Sequence, residues 1–139
     1  MPKVLISDKL SPQAVDIFKQ KGVEVDLKTG LSEEELIKII GEYDGLAIRS
    51  ATKVTPAVLA AAHKLKVVGR LGVGLDNIDV AACERRGVEV CSARGANATS
   101  VSEYAIAMAM ILLRGRAYRD TQRLVAGEWP REELGRGLE

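Results

Sequence analysis

The sequence contains few of the residues from which metal sites and nucleophilic sites are usually built. It has one histidine and two cysteines among its 139 residues. Cys83 and Cys91 lack the spacing of metal ligands, and we predict that both are reduced thiols packed among apolar neighbours, as in a cytoplasmic protein. His63 follows a predicted helix and has lysines nearby, so we expect it at the surface or as a helix C-cap rather than in catalysis. We therefore expect no metal site.

The sequence also lacks a strong net charge, a secretory signal and a membrane-spanning run. Its formal net charge is +1, which creates no overall field for nucleic acid or for an acidic membrane surface. The longest apolar run, residues 104–113, is too short to cross a bilayer. Residues 1–3 lead directly into an apolar strand. We expect a cytoplasmic protein with no nucleic-acid partner and no membrane partner.

Short apolar runs alternate with helical patterns over residues 1–98. We predict strands around residues 4–6, 23–27, 46–48, 67–68 and 88–90. This alternation predicts an α/β fold, a flavodoxin-like five-stranded parallel sheet in the order 2-1-3-4-5 with helices on both faces. Ligands of such folds bind beyond the carboxyl ends of the strands, here near the switch between strands 1 and 3.

Helix signals separate these strands. Proline at the first helical position follows Ser11 and Thr55, and Ser32 and Glu35 form a capping box. Gly22 and Gly87 suit left-handed helix ends. The first helix is expected to bury an apolar face of Val15, Ile17 and Phe18.

Residues 67–79 have the pattern of a buried strand, a glycine turn and the start of a helix. Gly72 and Gly74 carry no Cβ, so a bound group can approach the backbone N–H donors. A helix beginning near Asn77 would direct its positive end to the same place and complete an anion site. The dinucleotide fingerprint is incomplete, because Asn77 replaces its third glycine and the acidic residue expected about 20 residues later is missing. A tight turn without a ligand is the alternative.

Three loops at the carboxyl ends of the strands carry groups that bind anions. Strand 3 leads into Arg49 and Ser50, strand 4 into residues 72–74, and strand 5 into residues 92–97. Arginine presents a planar fork to a carboxylate or a phosphate. Together the loops predict a site for a small anion, whereas Arg49 alone is also compatible with a surface cation.

The C-terminal part is expected to contain a long apolar helix and an arm. Residues 100–103, Ser-Val-Ser-Glu, predict a second capping box, and the helix that follows to about Arg114 is apolar almost all round, so most of its sides must be covered. The arginines at 114, 116, 119 and 123 favour a solvated face over a nucleic-acid patch. Trp129 is a candidate interface anchor in an arm over residues 127–139, of which residues 138–139 are set aside as a cloning remnant. The expected divisions are 1–98, 99–126 and 127–139.

Three segments of the sequence resemble the NAD-dependent D-2-hydroxyacid dehydrogenases, namely residues 48–55, 69–79 and 97–103. The run Arg-Ser-Ala-Thr-Lys-Val-Thr at residues 49–55 points within that family to the phosphoglycerate dehydrogenases of serine biosynthesis, which convert 3-phosphoglycerate to 3-phosphohydroxypyruvate. The resemblance implies that the substrate is contacted by Arg49, Ser50, Gly72, Val73, Gly74 and Asn97. It also places Val73 near the nicotinamide of NAD, where some relatives have threonine.

The resemblance further implies a second, Rossmann lobe that carries the Gly-x-Gly-x-x-Gly loop and the catalytic arginine, glutamate and histidine. The 139 residues contain no such loop and no matching histidine, and hydride transfer needs both an acid–base group and a bound cofactor. We therefore expect a truncated substrate-binding lobe that is inactive by itself, with NAD bound in the parent enzyme. Its apolar helix, residues 101–113, and the Trp129 arm are expected to form a homodimer, or else to fold back over the sheet.

Two other classes of function remain open from the sequence. One is a free-standing flavodoxin-like binding or signalling module, although a phospho-receiver would need an acidic pair after strand 1 and an aspartate after strand 3. The sequence has a single acid, Asp8, at the first place and Arg49 at the second. The other is an oligomerisation module that acts through the apolar helix.

Overall fold

The structure is a computed structural model and describes residues 1–113 and 121–129. The chain divides into two compact units, Met1–Gly95 and Ala96–Glu139. The strands of the first unit are β1 (Lys3–Ile6), β2 (Glu24–Leu27), β3 (Gly45–Ile48), β4 (Val67–Arg70) and β5 (Glu89–Ser92). Its helices are α1 (Pro12–Gln20), α2 (Glu33–Ile39), α3 (Pro56–Ala61) and α4 (Val80–Arg85), with a 3-10 turn over Ile40–Glu42.

The five strands form one parallel sheet in the order β2-β1-β3-β4-β5, which confirms the predicted topology. Strand β1 pairs with β2 on one side and with β3 on the other. Since the chain leaves β1 toward β2 and later returns to β3 on the opposite side, the carboxyl end of β1 is the switch point of the topology.

The main core lies between the sheet and helices α2, α3 and α4. Leu5, Leu46 and Val68 contribute one side chain each from β1, β3 and β4, and all three are almost fully buried. Helix α3 contacts both α2 and α4, so these three helices cover one face together. Right-handed crossovers place α1 on the other face.

Helix α1 does not bury the apolar face predicted for it. None of its residues is fully buried, and Ile17 is 57% exposed while Val15 and Phe18 are half-buried. The prediction for Ile17 was wrong because periodicity identifies an apolar stripe but not the width of the surface available to cover it.

The predicted helix boundaries hold at several ends. Ser32 Oγ accepts a hydrogen bond from Glu35 N, and Glu35 Oε2 accepts one from Ser32 N, so the first capping box is formed. Gly87 has a φ of +68° at the end of α4, where its N–H and that of Val88 bond back into the helix. This is a Schellman ending, which explains the need for glycine there.

The two cysteines differ in burial. Cys83 is fully buried in α4, as predicted, and burial raises the pKa of its thiol. Cys91 is exposed on β5, so the prediction that it packs in the core was wrong. Strand β5 is the edge of the sheet, and nothing in the alternation of its residues says which of its faces is covered. His63 is exposed just after α3, in agreement with a surface role.

The second unit contains α5 (Ala98–Leu113) and α6 (Thr121–Val125). No residue of α5 is fully buried, and the side chains of Tyr104, Ile106 and Leu112 are 67%, 61% and 70% exposed. None of the helices in the described part of the chain is long and apolar enough to span a membrane.

The second predicted capping box is not formed. Ser100 lies inside α5, which begins at Ala98, and the hydroxyl of Ser102 donates to the carbonyl oxygen of Ala98 at 2.9 Å instead of capping. Residues 98–100 after Asn97 are already helical, so the helix starts one turn earlier than predicted. Three of the four arginines considered above, at 114, 116 and 119, lie outside the described residues, as do residues 130–139 of the arm. Arg123 pairs with Glu128 at 2.6 Å, and Trp129 is 79% exposed.

Candidate anion-binding site

A cavity of about 320 Å³ opens beyond the carboxyl ends of β1, β2 and β3. It lies at the switch point of the sheet, where the topology predicts a ligand site. It is lined by Ser7, Asp8, Lys9, Thr29, Gly30, Arg49, Ser50 and Ala51. Two of the predicted site residues, Arg49 and Ser50, are therefore brought to one cavity together with residues from the ends of β1 and β2.

The cavity presents positive charge to a ligand. Lys9 and Arg49 are both exposed, and neither forms an ion pair with a carboxylate of residues 1–113 or 121–129. The hydroxyls of Thr29 and Ser50 add neutral hydrogen-bonding groups. This combination suits a carboxylate or a phosphate, for which arginine supplies two parallel donors and lysine a compact charge.

The acid that lines the cavity, Asp8, is engaged by the loop that follows β3. Its Oδ2 accepts hydrogen bonds from the backbone N–H of Arg49 at 2.6 Å and of Ala51 at 3.3 Å. Its Oδ1 accepts from the backbone N–H and the hydroxyl of Thr52 at 3.1 and 2.6 Å. The hydroxyl of Ser7 adds a 2.8 Å hydrogen bond to that of Thr52. Asp8 is 6% exposed, so its charge faces backbone donors rather than the ligand space.

These contacts set the protonation of Asp8. Burial alone would raise its pKa, but the hydrogen bonds from Thr52 and from the backbone of Arg49 and Ala51 together hold the pKa of this carboxyl below its usual value. Hydrogen bonds to the charged form outweigh desolvation here. Asp8 is therefore a carboxylate at neutral pH and accepts hydrogen bonds with both oxygens.

Asn77 holds the same loop from the other side. Its side-chain amide donates to the carbonyl oxygens of Arg49 at 2.8 Å and of Thr52 at 2.7 Å. Asn77 stands at the position where the dinucleotide fingerprint has glycine, and its contacts give it a different role. It fastens the loop after β4 to the loop after β3.

The glycine turn after β4 lies beside this site but is less open than predicted. The N–H of Leu71 donates to Ile48 O at 2.8 Å, which ties the turn to the end of β3. A Cβ on Gly72 would lie 1.6 Å from Nη1 of Arg70, so the guanidinium occupies the space that the missing side chain leaves. Val73 is 47% exposed, and the cavity described above is not lined by residues 72–74.

The predicted helix start near Asn77 was wrong, whereas the predicted ligand contacts of Gly72, Val73 and Gly74 stay a prediction. Helix α4 begins at Val80, and Asp79 caps it by accepting a 2.8 Å hydrogen bond from Ala82 N. Asn77 lies in a turn instead, and Ile78 forms an isolated parallel bridge with Val54. The carboxylate of Asp79 already fills the positive end of the helix, where a ligand anion would have to bind.

Asn97 belongs to the second unit, where its carbonyl oxygen accepts a 3.0 Å hydrogen bond from Val101 N at the start of α5. Its proposed contact with substrate stays a prediction. Among the described residues, no cluster of three histidine, cysteine or acidic side chains is arranged to hold a metal ion.

The polar and charged residues of this site that the sequence did not predict include Asp8, Lys9, Thr29 and Asn77. A sequence signal existed for the first two, since they follow β1 directly and parallel strands end at one edge of the sheet. Asn77 had no such signal, because its partners lie 25 and 28 residues away in sequence.

Residues 4–130 match the model of the D-isomer specific 2-hydroxyacid dehydrogenase family, catalytic domain. The match covers most of the chain. The chain belongs to this family.

The chain is similar to several D-3-phosphoglycerate dehydrogenases. The chain is 41% identical over 132 residues to D-3-phosphoglycerate dehydrogenase of Archaeoglobus fulgidus, covering 95% of this chain and 25% of that protein. It is 49% identical over 114 residues to the D-3-phosphoglycerate dehydrogenase of Synechocystis, covering 82% of this chain and 20% of that protein. The chain thus spans about a quarter of the length of these curated relatives.

Solved structures show the same architecture. A protein of Pyrococcus horikoshii superposes with a TM-score of 0.81 at 33% identity, covering 94% of this chain and 38% of that one. The NAD⁺-bound 3-phosphoglycerate dehydrogenase of Entamoeba histolytica superposes with a TM-score of 0.68 at 28% identity, covering 84% of this chain and 40% of that one.

Proposed function

We propose that these residues form the substrate-binding lobe of an NAD-dependent D-3-phosphoglycerate dehydrogenase, which oxidises 3-phosphoglycerate to 3-phosphohydroxypyruvate in serine biosynthesis. The observation that carries the proposal is the cavity at the end of β1 and β3. It combines Lys9 and Arg49, which form no ion pair with any described carboxylate, with an acid whose oxygens accept hydrogen bonds from backbone donors. The similarity to phosphoglycerate dehydrogenases supports the choice of substrate.

The chemistry of the cavity matches a phosphorylated 2-hydroxy acid. Such a substrate carries a phosphate and a carboxylate, and it gains most from donors that need no reorganisation on binding. Arg49 and Ser50 would bind one of the anionic groups, and Gly72, Val73, Gly74 and Asn97 would contribute the remaining contacts. Of these six residues, only Arg49 and Ser50 line the cavity. The other four are assigned from the family resemblance.

NAD would supply the hydride acceptor in the whole enzyme, but residues 1–113 and 121–129 do not fit a dinucleotide by themselves. The positive end of α4 is capped by Asp79, and the guanidinium of Arg70 covers Gly72. The cavity contains no histidine, because His63 follows α3 and does not line it. We therefore propose that this chain binds substrate and has no dehydrogenase activity alone.

The direct test is calorimetric titration of the chain with 3-phosphoglycerate. The variant Arg49→Ala should weaken binding by about tenfold or more, because a charge-assisted bidentate contact is lost. The matched control is Arg86→Ala, since Arg86 is an exposed arginine at the end of α4 that does not line the cavity. Glycerate, which lacks the phosphate, should bind more weakly than 3-phosphoglycerate. Equal affinities for the wild type and Arg49→Ala, or no binding by the wild type, would contradict the proposal.

We further propose that α5 packs against a second copy of this chain. Its exposed apolar side chains include Tyr104, Ile106 and Leu112, and a surface of that character favours association. Trp129, also exposed, would join the same interface. The alternative function, a free-standing binding or oligomerisation module, draws on this same helix. It would be favoured if the chain dimerises but does not bind 3-phosphoglycerate.

We place the protein in the cytoplasm as part of this proposal, since Cys83 and Cys91 are free thiols and disulfides are rare in that compartment.

A further inference from the structure

We propose that Asp8 is a positioning residue of the anion site: it holds the backbone of residues 49–52 in the conformation that presents the Arg49 and Ser50 side chains to the ligand. The inference rests on the proposed function, because it concerns the affinity of that same site. It adds a residue that the family resemblance does not assign.

The hydrogen bonds of Asp8 are all made to a single loop. All five bonds that the carboxylate accepts come from residues 49–52, over distances of 2.6–3.3 Å. The donors include the backbone N–H groups of Arg49, Ala51 and Thr52. Backbone N–H groups of one loop that converge on an anion form an anion-binding concavity, and here the anion is a side chain of the protein itself.

Asp8 does not pair with the two cations of the cavity. It lines a cavity together with Lys9 and Arg49, yet in the described part of the chain it forms an ion pair with neither. A carboxylate paired with Arg49 would compete directly with a ligand anion. Because Asp8 bonds to the backbone of Arg49 instead, it fixes the residue and leaves the guanidinium available.

The loop of residues 49–52 is held from two sides. Asp8 accepts hydrogen bonds from the backbone N–H groups. The side-chain amide of Asn77 donates to the carbonyl oxygens of Arg49 and Thr52 at 2.8 and 2.7 Å. The backbone polar groups of the loop ends are therefore occupied, and the exposed side chains of Arg49 and Ser50 are the groups that remain for a ligand. A site held in this way binds with less ordering cost.

The chain offers a matched control in Asp44, which precedes β3 at the opposite end of the same strand. Its Oδ2 accepts a 3.0 Å hydrogen bond from the backbone N–H of Lys3, and its Oδ1 lies 3.6 Å from Lys66 Nζ. Asp44 thus also accepts from a backbone N–H, but it does not line the cavity. The substitutions Asp8→Asn and Asp44→Asn make the same chemical change at the two ends of β3.

The experiment titrates the wild type and both variants with 3-phosphoglycerate and measures amide hydrogen exchange of each by NMR. We expect Asp8→Asn to weaken binding by about tenfold, since small displacements of binding groups cost affinity steeply. Exchange should become faster at the amides of Arg49 and Thr52. Asp44→Asn should leave both quantities at wild-type values. Folded Asp8→Asn protein with wild-type affinity, or equal weakening by both variants, would overturn the inference.

The failure of the proposed function is distinguishable from the failure of this inference. If the wild type binds no 3-phosphoglycerate, the proposed function fails. The rates of amide hydrogen exchange then test the positioning role of Asp8. Faster exchange at Arg49 and Thr52 only in Asp8→Asn would support the positioning role, and unchanged exchange would overturn it.

If Asp8→Asn does not fold, Thr52→Val serves as the second variant. It removes the 2.6 Å hydrogen bond from the Thr52 hydroxyl to Asp8, together with the 2.8 Å hydrogen bond between the Thr52 and Ser7 hydroxyls, but leaves the charge of Asp8 and the backbone donors in place. It should weaken binding by about threefold, a smaller loss that reflects one hydrogen bond among several. Wild-type affinity and wild-type exchange at Arg49 in this variant would overturn the inference.

Discussion

The side-chain amide of Asn77 donates a 2.8 Å hydrogen bond to the carbonyl oxygen of Arg49, joining the loop after β4 to the loop after β3. The same amide reaches Thr52 O at 2.7 Å. One side chain therefore joins the loop after β3, which borders the cavity, to the loop after β4, which does not, and the conformation of each loop depends on the other.

Replacing Asn77 by aspartate should destabilise the chain more than replacing it by alanine. Alanine leaves two carbonyl oxygens without their donor, which costs about 1–3 kcal/mol in free energy of unfolding. Aspartate adds repulsion, because its carboxylate oxygens would face those carbonyl oxygens. Urea denaturation of both variants measures the difference. A free energy of unfolding equal to that of the wild type in Asn77→Asp would show that the bridge contributes nothing.

The two serines that the sequence marks as helix caps should respond differently to alanine. Ser32→Ala removes a formed capping box and should lower the free energy of unfolding by about 1 kcal/mol. Ser100→Ala changes a residue inside α5 and should raise the free energy of unfolding by about 0.5 kcal/mol or less, because alanine is the better helix former. Urea denaturation and helical circular dichroism compare the pair. A loss of helicity in Ser100→Ala would mean that the residue does cap the helix.

Tyr43 should remain protonated to unusually high pH. Burial, and then the hydrogen bond that its hydroxyl donates to Asp26 at 2.8 Å, raise the pKa of Tyr43 to about 12. Since the folded protein holds this proton more tightly than the unfolded chain does, the contribution to stability is complete below pH of about 10 and is lost as the pH rises toward about 12. Ultraviolet titration should show a late tyrosine step that is missing from Tyr43→Phe.

The stability of Tyr43→Phe provides the check on the sign. The variant should be less stable than the wild type at neutral pH, and the difference should shrink above pH of about 10. A difference that grows with pH would contradict the assignment of the raised pKa to Tyr43.

A charge on the exposed face of α5 should prevent association of the chain. Light scattering of the wild type at high concentration should report a dimer, and Ile106→Glu should shift it to monomer, because burying an unpaired carboxylate in an apolar interface is costly. Ile17→Glu is the matched control, since Ile17 is 57% exposed on α1 outside the proposed interface. A wild type that stays monomeric would contradict the proposed dimer.

Much of the first unit was predictable from local sequence. Apolar runs such as Leu5–Ile6 and helix signals such as Ser32 and Gly87 depend on neighbours within a few residues, so each can be recognised alone. The sheet order then followed from alternation and handedness. Arg49 and Ser50 could be placed at the site because they directly follow a strand whose carboxyl end the topology locates.

The errors arose where a distant partner decides between local options. Asn77 and Asp79 are both suitable helix caps, and the sequence favours neither. Asn77 is taken by Arg49 and Thr52, and Ile78 pairs with Val54, so the helix begins only after Asp79. The local pattern of a glycine turn was read correctly, but the position of the helix behind it was not.

The sequence by itself determined the alternation of strands and helices, the strand order and the presence of an arginine at the rim of the sheet, because periodicity, caps and handedness act over short distances. Only the tertiary structure decided which groups surround that arginine. Asp8 lies 41 residues from Arg49 in sequence and bonds to its backbone, and no local pattern encodes a contact of that separation. The polar side chains that organise the site are selected by the meeting of strand ends in space.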